Sequence, residues 1–557
     1  MIAKLPKTFL YLLSAFFILN LLQAHFTELI YDEAYYWYYS QNMAWGYFDH
    51  PPMVALMVKI SGLLFQGELG VRLVSVLMST STLALLWHLI DDVRKDHHIL
   101  PFFVLAFSMT LLNAYGFLTL PDTPLLFFTA CFLWCYKKFI ERPGLGLAVL
   151  MGLSMAALMY SKYHAVLVIF FVILSNFSLL RNKYAWLAVG VALLSYAPHF
   201  YWLYDHDFVS IKYHLYERPN GAYSFVKYTL GFFVNLLAIV GLTFPFIYRA
   251  LFKTRPKNKF ERALVFITYG VLLFFFVSSF NRRVQTQWII VVSIPLIILV
   301  YHYMLHHRPT MTWIYRLGIA NAIIILYLRL GLIYQPLLFH IYYESHGNKD
   351  WVGQLRDQVG DLPVVFENSY RRAPMYSFYT GGIPTFSLNN VMYRKNQYSL
   401  GTAEERIRGE RVAYISHYMK KGPISYTTES GATFRGKFIA SFNSYRKLRC
   451  EIVESPENPT FGSEIVFTVD NPYNFSVPLE ELQFGIAYLD AYKKTQEVVP
   501  IVPRPPRPDI KELGEGSQMS FEVTLPPSSK ANLAYFRIVI SEHGLHYGLN
   551  GTPIPLK

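Results

Sequence analysis

The residues best suited to chemistry lie in one short stretch, 31–53, which reads YDEAYYWYYSQNMAWGYFDHPPM. Asp32 and Glu33 are adjacent carboxylates. Tyr35, Tyr36 and Tyr39 follow Asp32 at i+3, i+4 and i+7, so on a helix they share its face. Trp37, Tyr38 and Trp45 add aromatic surface of the kind that anchors a helix at a membrane–water interface. An anchor alone does not need two acids beside it, and a positioned carboxylate is a general base for a hydroxyl or amine. Asp49-His50-Pro51-Pro52 supplies a second acid and an imidazole on a stiff, extended turn.

These groups need elements to hold them. The chain has 557 residues, 53% hydrophobic, 17% aromatic and only 16% charged, against roughly 25% charged in soluble proteins. That balance indicates a polytopic α-helical membrane protein. Apolar runs near 8–26, 69–90, 99–113, 121–137, 145–161, 163–180, 184–204, 225–248, 262–280, 286–304 and 317–337 predict about 11–13 transmembrane helices. The first is read as a retained span, because no small-residue cleavage site follows it. Residues 53–65 are too short to span and predict a surface or re-entrant helix.

The net charge of +13 sits in alternate short loops, as membrane topology requires and unlike a nucleic-acid-binding face. Arg94, Lys95, Lys137, Lys138, Arg142, Arg181, Lys183, the basic run 249–262 and Arg308 fall on one side; Asp32, Glu33, Asp49, Asp122, Asp205 and Asp207 fall on the other. The N-terminus is thereby expected in the cytoplasm and everything after about residue 338 outside it, in an inner (plasma) membrane.

Five basic residues break the rule: Arg72, Lys162, Arg282, Arg283 and Arg329 lie on or near the outer side. Each alone reads as snorkelling to lipid phosphate; together, opposite outer carboxylates, they read as an anion site. Asp122, in Leu-Pro-Asp-Thr-Pro, reads either as the cap of the next span or as part of that site. The polar run Asp205, His206, Asp207, Lys212 and His214 reads as a solvated loop, with an acceptor contact as the alternative.

Beyond the spans the chain becomes soluble in character. The expected division is a transmembrane region 1–340 (first outer loop 27–68), an α/β region 341–449 and a β-sandwich-like region 450–557. LPVVFENSYRRAPMYSFYTGG reads as strand, helix and glycine stop. SEIVFTVDN, FGIAYLDA, SQMSFEVTLP and AYFRIVISEH read as short alternating strands, with the proline-rich PIVPRPPRPDI between two of them. Three cysteines form neither a disulfide framework nor a metal spacing.

DEAYYW…YFDHPPM, VRLVSVL, LPDTPLLFF and YSKYHAVL, at these intervals, resemble the bacterial relatives of the dolichyl-phosphate-mannose protein mannosyltransferases, a group that includes the lipid A aminoarabinose transferases of the GT-C superfamily. The likeness covers the first third, weakens at NRRVQTQW and returns at FENSYRRAPMYSFYTGG and RKNQY. It implies a GT-C fold and an inverting glycosyltransferase that takes its sugar from a polyprenyl (undecaprenyl) phosphate. The acceptor would be an envelope protein, lipid A or a glycan. It implies Asp32 as catalytic base, with Glu33 as the open alternative, and Asp49 as a second acid, matching the acid of a Glu-Lys-Pro-Pro motif whose lysine is His50 here. Lys162, Arg282, Arg283 and Arg72 are the candidates to hold the donor phosphate, with Tyr35, Tyr163, His50 and Asp122 as further substrate contacts. No cofactor is required; a divalent metal held by Asp49, His50 and His164 is the minority expectation. A transporter or flippase of a lipid-linked saccharide is the competing reading, disfavoured by the lack of an internal repeat.

Overall fold

The structure is a computed structural model describing residues 5–217, 221–339, 341–505 and 510–557. It divides into two compact units, one of residues 1–214 and 223–346, the other of residues 215–222 and 347–557. The first is helical and the second rich in strands.

Five helical stretches of the first unit are each long and apolar enough to cross a membrane: Lys7–Phe26, Gly67–Leu89, Val226–Lys253, Lys259–Ser278 and Arg308–Ile333. Shorter apolar helices include Ile99–Ser108, Leu145–Ser161 and Ile290–His306. Lys7–Phe26 leaves Leu10, Tyr11, Ile18, Leu22 and Phe26 exposed, side chains that only lipid would cover favourably. The chain is a multi-pass membrane protein. Met53–Leu64 is the expected short helix; it buries Val54, Ala55, Met57 and Val58 and exposes Leu56, Ile60 and Leu63.

Two spans are broken, which the apolar runs do not announce. The run at 99–113 breaks at Met109 between Ile99–Ser108 and Thr110–Ala114. The stretch Val226–Lys253 breaks at Gly241, whose φ of 58° is a left-handed value. A broken span frees backbone groups that lipid cannot satisfy. Asn321, on Arg308–Ile333, serves both breaks: its Nδ2 donates to the Ser108 carbonyl at 2.5 Å and its Oδ1 accepts from the Leu242 N–H at 3.4 Å.

Some of the basic segments expected on one side meet at one end of this unit. Lys137 Nζ reaches the Leu89 carbonyl and the Asp91 carboxylate, Arg94 donates to the Leu305 carbonyl, and the Tyr301 hydroxyl donates to the His98 carbonyl. Arg72 and Glu33 lie toward the other end, at the start of Gly67–Leu89 and in Tyr31–Gln41.

In the second unit, Val364–Glu367, Thr385–Leu388 and Val412–Ser416 form a parallel core extended by antiparallel Thr433–Ile439 and Ile424–Thr427. The expected helix after the first strand is Arg372–Tyr379, ended by Gly381 and Gly382 at φ of 79° and 108°. The expected β strands are Glu464–Asp470, Gln483–Leu489, Gln518–Thr524 and Tyr535–Ser541, on two sheets around Phe467, Phe484, Ile486, Phe521 and Ile538. Pro500 lies in Thr495–Ile501, an edge strand, where a residue without an N–H is tolerated. Residues 506–509 of the proline-rich run lie outside the described residues.

Candidate active site

Tyr31–Gln41 forms because its carboxylates fall in the first turn, where the helix dipole favours them. Tyr35, Tyr36 and Tyr39 turn inward as the spacing predicts, while Asp32, Trp37 and Tyr38 are only partly covered. Tyr39 stacks on Tyr47 at 4.1 Å. Its hydroxyl donates to Asp49 Oδ1 at 2.5 Å, and burial, then the Asp49 charge, then Tyr35 hold its proton well above the usual phenol range.

The structure places Glu33, the alternative base, and Arg72, a phosphate candidate, against each other as a buried pair. Both side chains are 0% exposed. Arg72 Nε and Nη2 donate to the two Glu33 oxygens at 2.8 and 2.5 Å, and its remaining N–H groups reach the carbonyls of Ala24, Thr27 and Glu28. Glu33 also accepts the backbone N–H of Ile30 and of Thr119. The pair closes the start of its own helix and ties it to two neighbouring segments. Asp32, one residue earlier, keeps the partial exposure a base requires.

Asp122 does not cap its helix. Pro121 is the cap, and Asp122 is the first helical residue, with its carboxylate turned to Lys162. Lys162 ends Leu145–Ser161 in an extended conformation, which swings its side chain across to Asp122 Oδ1 at 2.7 Å. Tyr115, in the loop before Asp122, reports who else is near. Burial comes first, then the Asp122 charge, Tyr343 and the Asp32 charge, in holding its phenol proton well above the usual range. Asp32, Tyr115, Asp122, Lys162 and Tyr343 therefore share one neighbourhood. Tyr115 and Tyr343 were not singled out from sequence; the only signal was an aromatic residue near an acidic loop mouth.

A second group adjoins it. His214 Nε2 lies 2.9 Å from the Asp49 carbonyl, and Arg282 Nη1 donates to the His214 carbonyl at 3.0 Å. The solvated-loop reading of His214 is thereby corrected. The His50 ring lies 5.6 Å from Tyr36 and 6.5 Å from His214. The Tyr163 hydroxyl meets His199 Nε2 at 3.2 Å, and His199 Nδ1 meets the Trp45 carbonyl at 2.6 Å. Lys162, His50 and His214 all lie within electrostatic reach of His164, which joins the two groups. Arg282 is half-buried; Arg283 is exposed and has no contact with these groups among the described residues.

Asp49, His50 and His164 do not converge on a metal position. Asp49 is committed to the Tyr39 hydroxyl, and the His164 ring packs edge-on against Phe275 at 5.8 Å. Among the described residues, the one trio of potential ligands with atoms within 4.8 Å of one another is elsewhere, at Asp92, His302 and His306.

The described site combines a half-exposed acid and a nearly buried ammonium with one of its three N–H bonds engaged, and a guanidinium is linked to them through His214 and His164. Such a set can take a proton from an incoming nucleophile and stabilise an oxyanion leaving group.

The chain is similar to known proteins over part of its length. Residues 49–202 match the model of the dolichyl-phosphate-mannose-protein mannosyltransferase family. The chain is 25% identical over 304 residues to the lipid A galacturonosyltransferase RgtD of Rhizobium johnstonii, covering 51% of this chain and 62% of that protein. It is 28% identical over 281 residues to the lipopolysaccharide core galacturonosyltransferase RgtA of the same organism, covering 46% and 54%. The matches thus span only about three fifths of these curated relatives. In fold, it matches ArnT from Cupriavidus metallidurans in the apo state with a TM-score of 0.53 at 12% identity, over 73% of this chain and 92% of ArnT. The same protein bound to undecaprenyl phosphate matches with a TM-score of 0.51 at 13% identity, over 74% and 93%. The chain thus has a GT-C type of fold like that of ArnT, with a polytopic helical membrane unit and a strand-rich one, and resembles the bacterial relatives of that mannosyltransferase family over part of its length.

Proposed function

We propose that this protein is an inverting glycosyltransferase that moves a sugar from undecaprenyl phosphate to an acceptor of the cell envelope, at the non-cytoplasmic face of the inner membrane. The observation that carries the reading is the shared neighbourhood of Asp32, Asp122 and Lys162 around Tyr115. The named activities of RgtD and RgtA favour a lipid A or core-saccharide acceptor and a uronic acid as the sugar. The carrier bound to ArnT favours undecaprenyl phosphate as the leaving group.

In this mechanism Asp32 accepts the proton of the acceptor hydroxyl as its oxygen attacks the anomeric carbon. The bond from that carbon to the phosphate oxygen breaks on the opposite face, and undecaprenyl phosphate leaves with the electron pair. Lys162, with two N–H bonds still available beside Asp122, and Arg282 hold the phosphate as charge builds on it. Asp49, locked to Tyr39, positions the His50 and His214 segment. Glu33 and Arg72 hold the helix that carries Asp32.

The test is transfer of labelled sugar by the purified protein from a panel of polyprenyl-phosphate sugars to envelope extracts, with Asp32→Asn alongside. The expected result is transfer by the wild type and a loss of about 10²–10⁴-fold in the variant, the usual worth of a general base. Equal transfer by both would remove Asp32 from the role. No transfer from any donor by well-folded protein would overturn the reading in favour of saccharide transport.

A further inference from the structure

A separate cluster lies at the basic end of the helical unit. Arg72 lies in the second turn of the helix that Leu89 ends, so this end is roughly 25 Å from the Glu33–Arg72 pair. Asp92 starts the short turn Val93–His97, and its Oδ1 accepts the Arg94 N–H at 2.9 Å. That bond fixes the carboxylate and turns Oδ2 toward Ser293–His306. His302 and His306 stand one turn apart on that helix, on one face, with ring centroids 4.9 Å apart. Asp92 Oδ2 lies 3.5 Å from His306 Nε2 and 4.0 Å from His302 Nδ1.

The hydrogen bonds around these rings decide what the cluster wants. His306 Nδ1 lies 3.0 Å from the His302 carbonyl oxygen. A carbonyl only accepts, so Nδ1 carries the proton, and Nε2 of the neutral ring presents a lone pair. That lone pair points at a carboxylate oxygen. Two acceptors then face each other, and either a second ring proton or a metal ion must lie between them. Ring N–H donation to a backbone carbonyl is also the usual way a metal-bound histidine is oriented. His302 Nε2 is buried and has no hydrogen-bond partner among the described residues, so this ring too is free to turn toward an ion.

We propose that Asp92, His302 and His306 form a zinc site. Two imidazoles and a carboxylate, with water in the fourth position, are a donor set for zinc rather than for magnesium or calcium, which take mostly oxygen. Bonds of about 2.0–2.1 Å in a tetrahedron put ligand atoms about 3.3 Å apart. The His306–Asp92 separation already matches, and His302 closes the rest by a small ring rotation. Lys253, Arg255 and Lys257 lie in the adjoining groove with both histidines. Their charge weakens the binding of any divalent cation alike, so the preference for zinc over manganese rests on the imidazole donors. The ion pins the 91–98 loop to the end of its neighbouring helix, away from the candidate active site.

The experiment uses the full, tag-free chain in lipid nanodiscs, stripped with a chelator and then equilibrated with zinc at buffered free concentration. Bound zinc is measured by elemental mass spectrometry, and tetrahedral geometry by the absorption of a cobalt-substituted sample. The expected result is one zinc per chain in the wild type and in His307→Ala, whose ring stacks on Tyr303 instead, and none in His306→Ala. Should His306→Ala fail to insert, Asp92→Asn reads the same loss, since its amide oxygen can still accept the Arg94 N–H. A wild type with no bound zinc means the cluster is only a protonated His–Asp pair, and the proposal fails. Equal zinc in wild type and both site variants places the ion elsewhere and overturns it as well.

Discussion

Lys162 reaches Asp122 across two helices that are not joined by a cap: Nζ lies 2.7 Å from Oδ1, with the two side chains 10% and 4% exposed. A lysine held this way has given up conformational freedom before any substrate arrives, so less is lost when a phosphate binds it. Lys162→Met is expected to lower kcat/KM for sugar transfer by about 10²–10³-fold, the usual worth of one oxyanion donor. Asp122→Asn should fall between that variant and the wild type, because the amide oxygen can still accept from Lys162 without its charge. Steady-state transfer kinetics on both variants check this. Wild-type kinetics in Lys162→Met would reduce the pair to a helix–helix tie.

The pair Glu33–Arg72 predicts a different phenotype from its neighbour Asp32. Removing one partner of a fully buried ion pair leaves a charge without compensation and costs about 3–5 kcal/mol. Glu33→Gln and Arg72→Met are each expected to lower the yield of monodisperse protein and the melting temperature. Asp32→Asn, at a partly exposed position, should leave both unchanged. Size-exclusion profiles and thermal melts of the three variants make the comparison; a stable, inactive Glu33→Gln would return Glu33 to the list of candidate bases.

Asn321 offers a test of the broken helices. Replacing it with Leu leaves the Ser108 carbonyl without its donor inside the bundle, at a cost of about 1–3 kcal/mol. Gly241→Ala should act at the same place. Its Cβ would lie 2.5 Å from the Asn321 side chain, on a backbone at φ of 58°. Both variants are expected to melt earlier in detergent than the wild type. Gly190 has nothing within 4 Å of an added Cβ, so Gly190→Ala serves as the control and should be neutral.

These cases mark what a sequence makes legible. Apolar runs and alternating charge announce helices and the end at which loops gather, because burial and topology act on residue type alone. Asp32, Asp122, Lys162 and Arg282 were legible for the same reason: charge at the membrane face is costly and stands out. The partner of each charge was not legible. Glu33 and Asp32 are adjacent and chemically alike, and only the approach of Arg72, 39 positions away, separates a structural acid from a candidate base. Tyr115 was not singled out, and His214 was read as part of a solvated loop, because their contacts come from neighbours distant in the chain. Asp92, His302 and His306 are 210 positions apart at their first pair, and no spacing rule joins them. The breaks at Met109 and Gly241 sit within apolar runs whose composition is indifferent to them.

The strand-rich unit carries its own prediction, in pH. Burial pushes the Glu542 carboxyl up to about 7 against the pull of the Arg446 guanidinium, 3.0 Å away. The folded chain therefore keeps a proton that the unfolded chain has lost, and this contribution to stability is full below the unfolded value and disappears as pH rises through about 7. His546 acts in the same direction. Its hydrogen bond to Glu367, 2.7 Å away, outweighs burial and raises its pKa, so its contribution is also lost on the alkaline side. Glu367 is buried, yet its bonds from His546, Ser416 and Asn390 lower its pKa, and its contribution is lost only on the acid side. Protection of the Tyr535–Ser541 amides from hydrogen exchange, corrected for the intrinsic rate, should therefore fall between about pH 5 and about pH 8, by on the order of 2 kcal/mol from Glu542. Glu542→Gln, neutral throughout, should remove most of that slope and leave the smaller part due to His546. Protection that is flat or rises with pH in the wild type would mean that Glu542 is ionised in the fold and that Arg446, not burial, sets its charge.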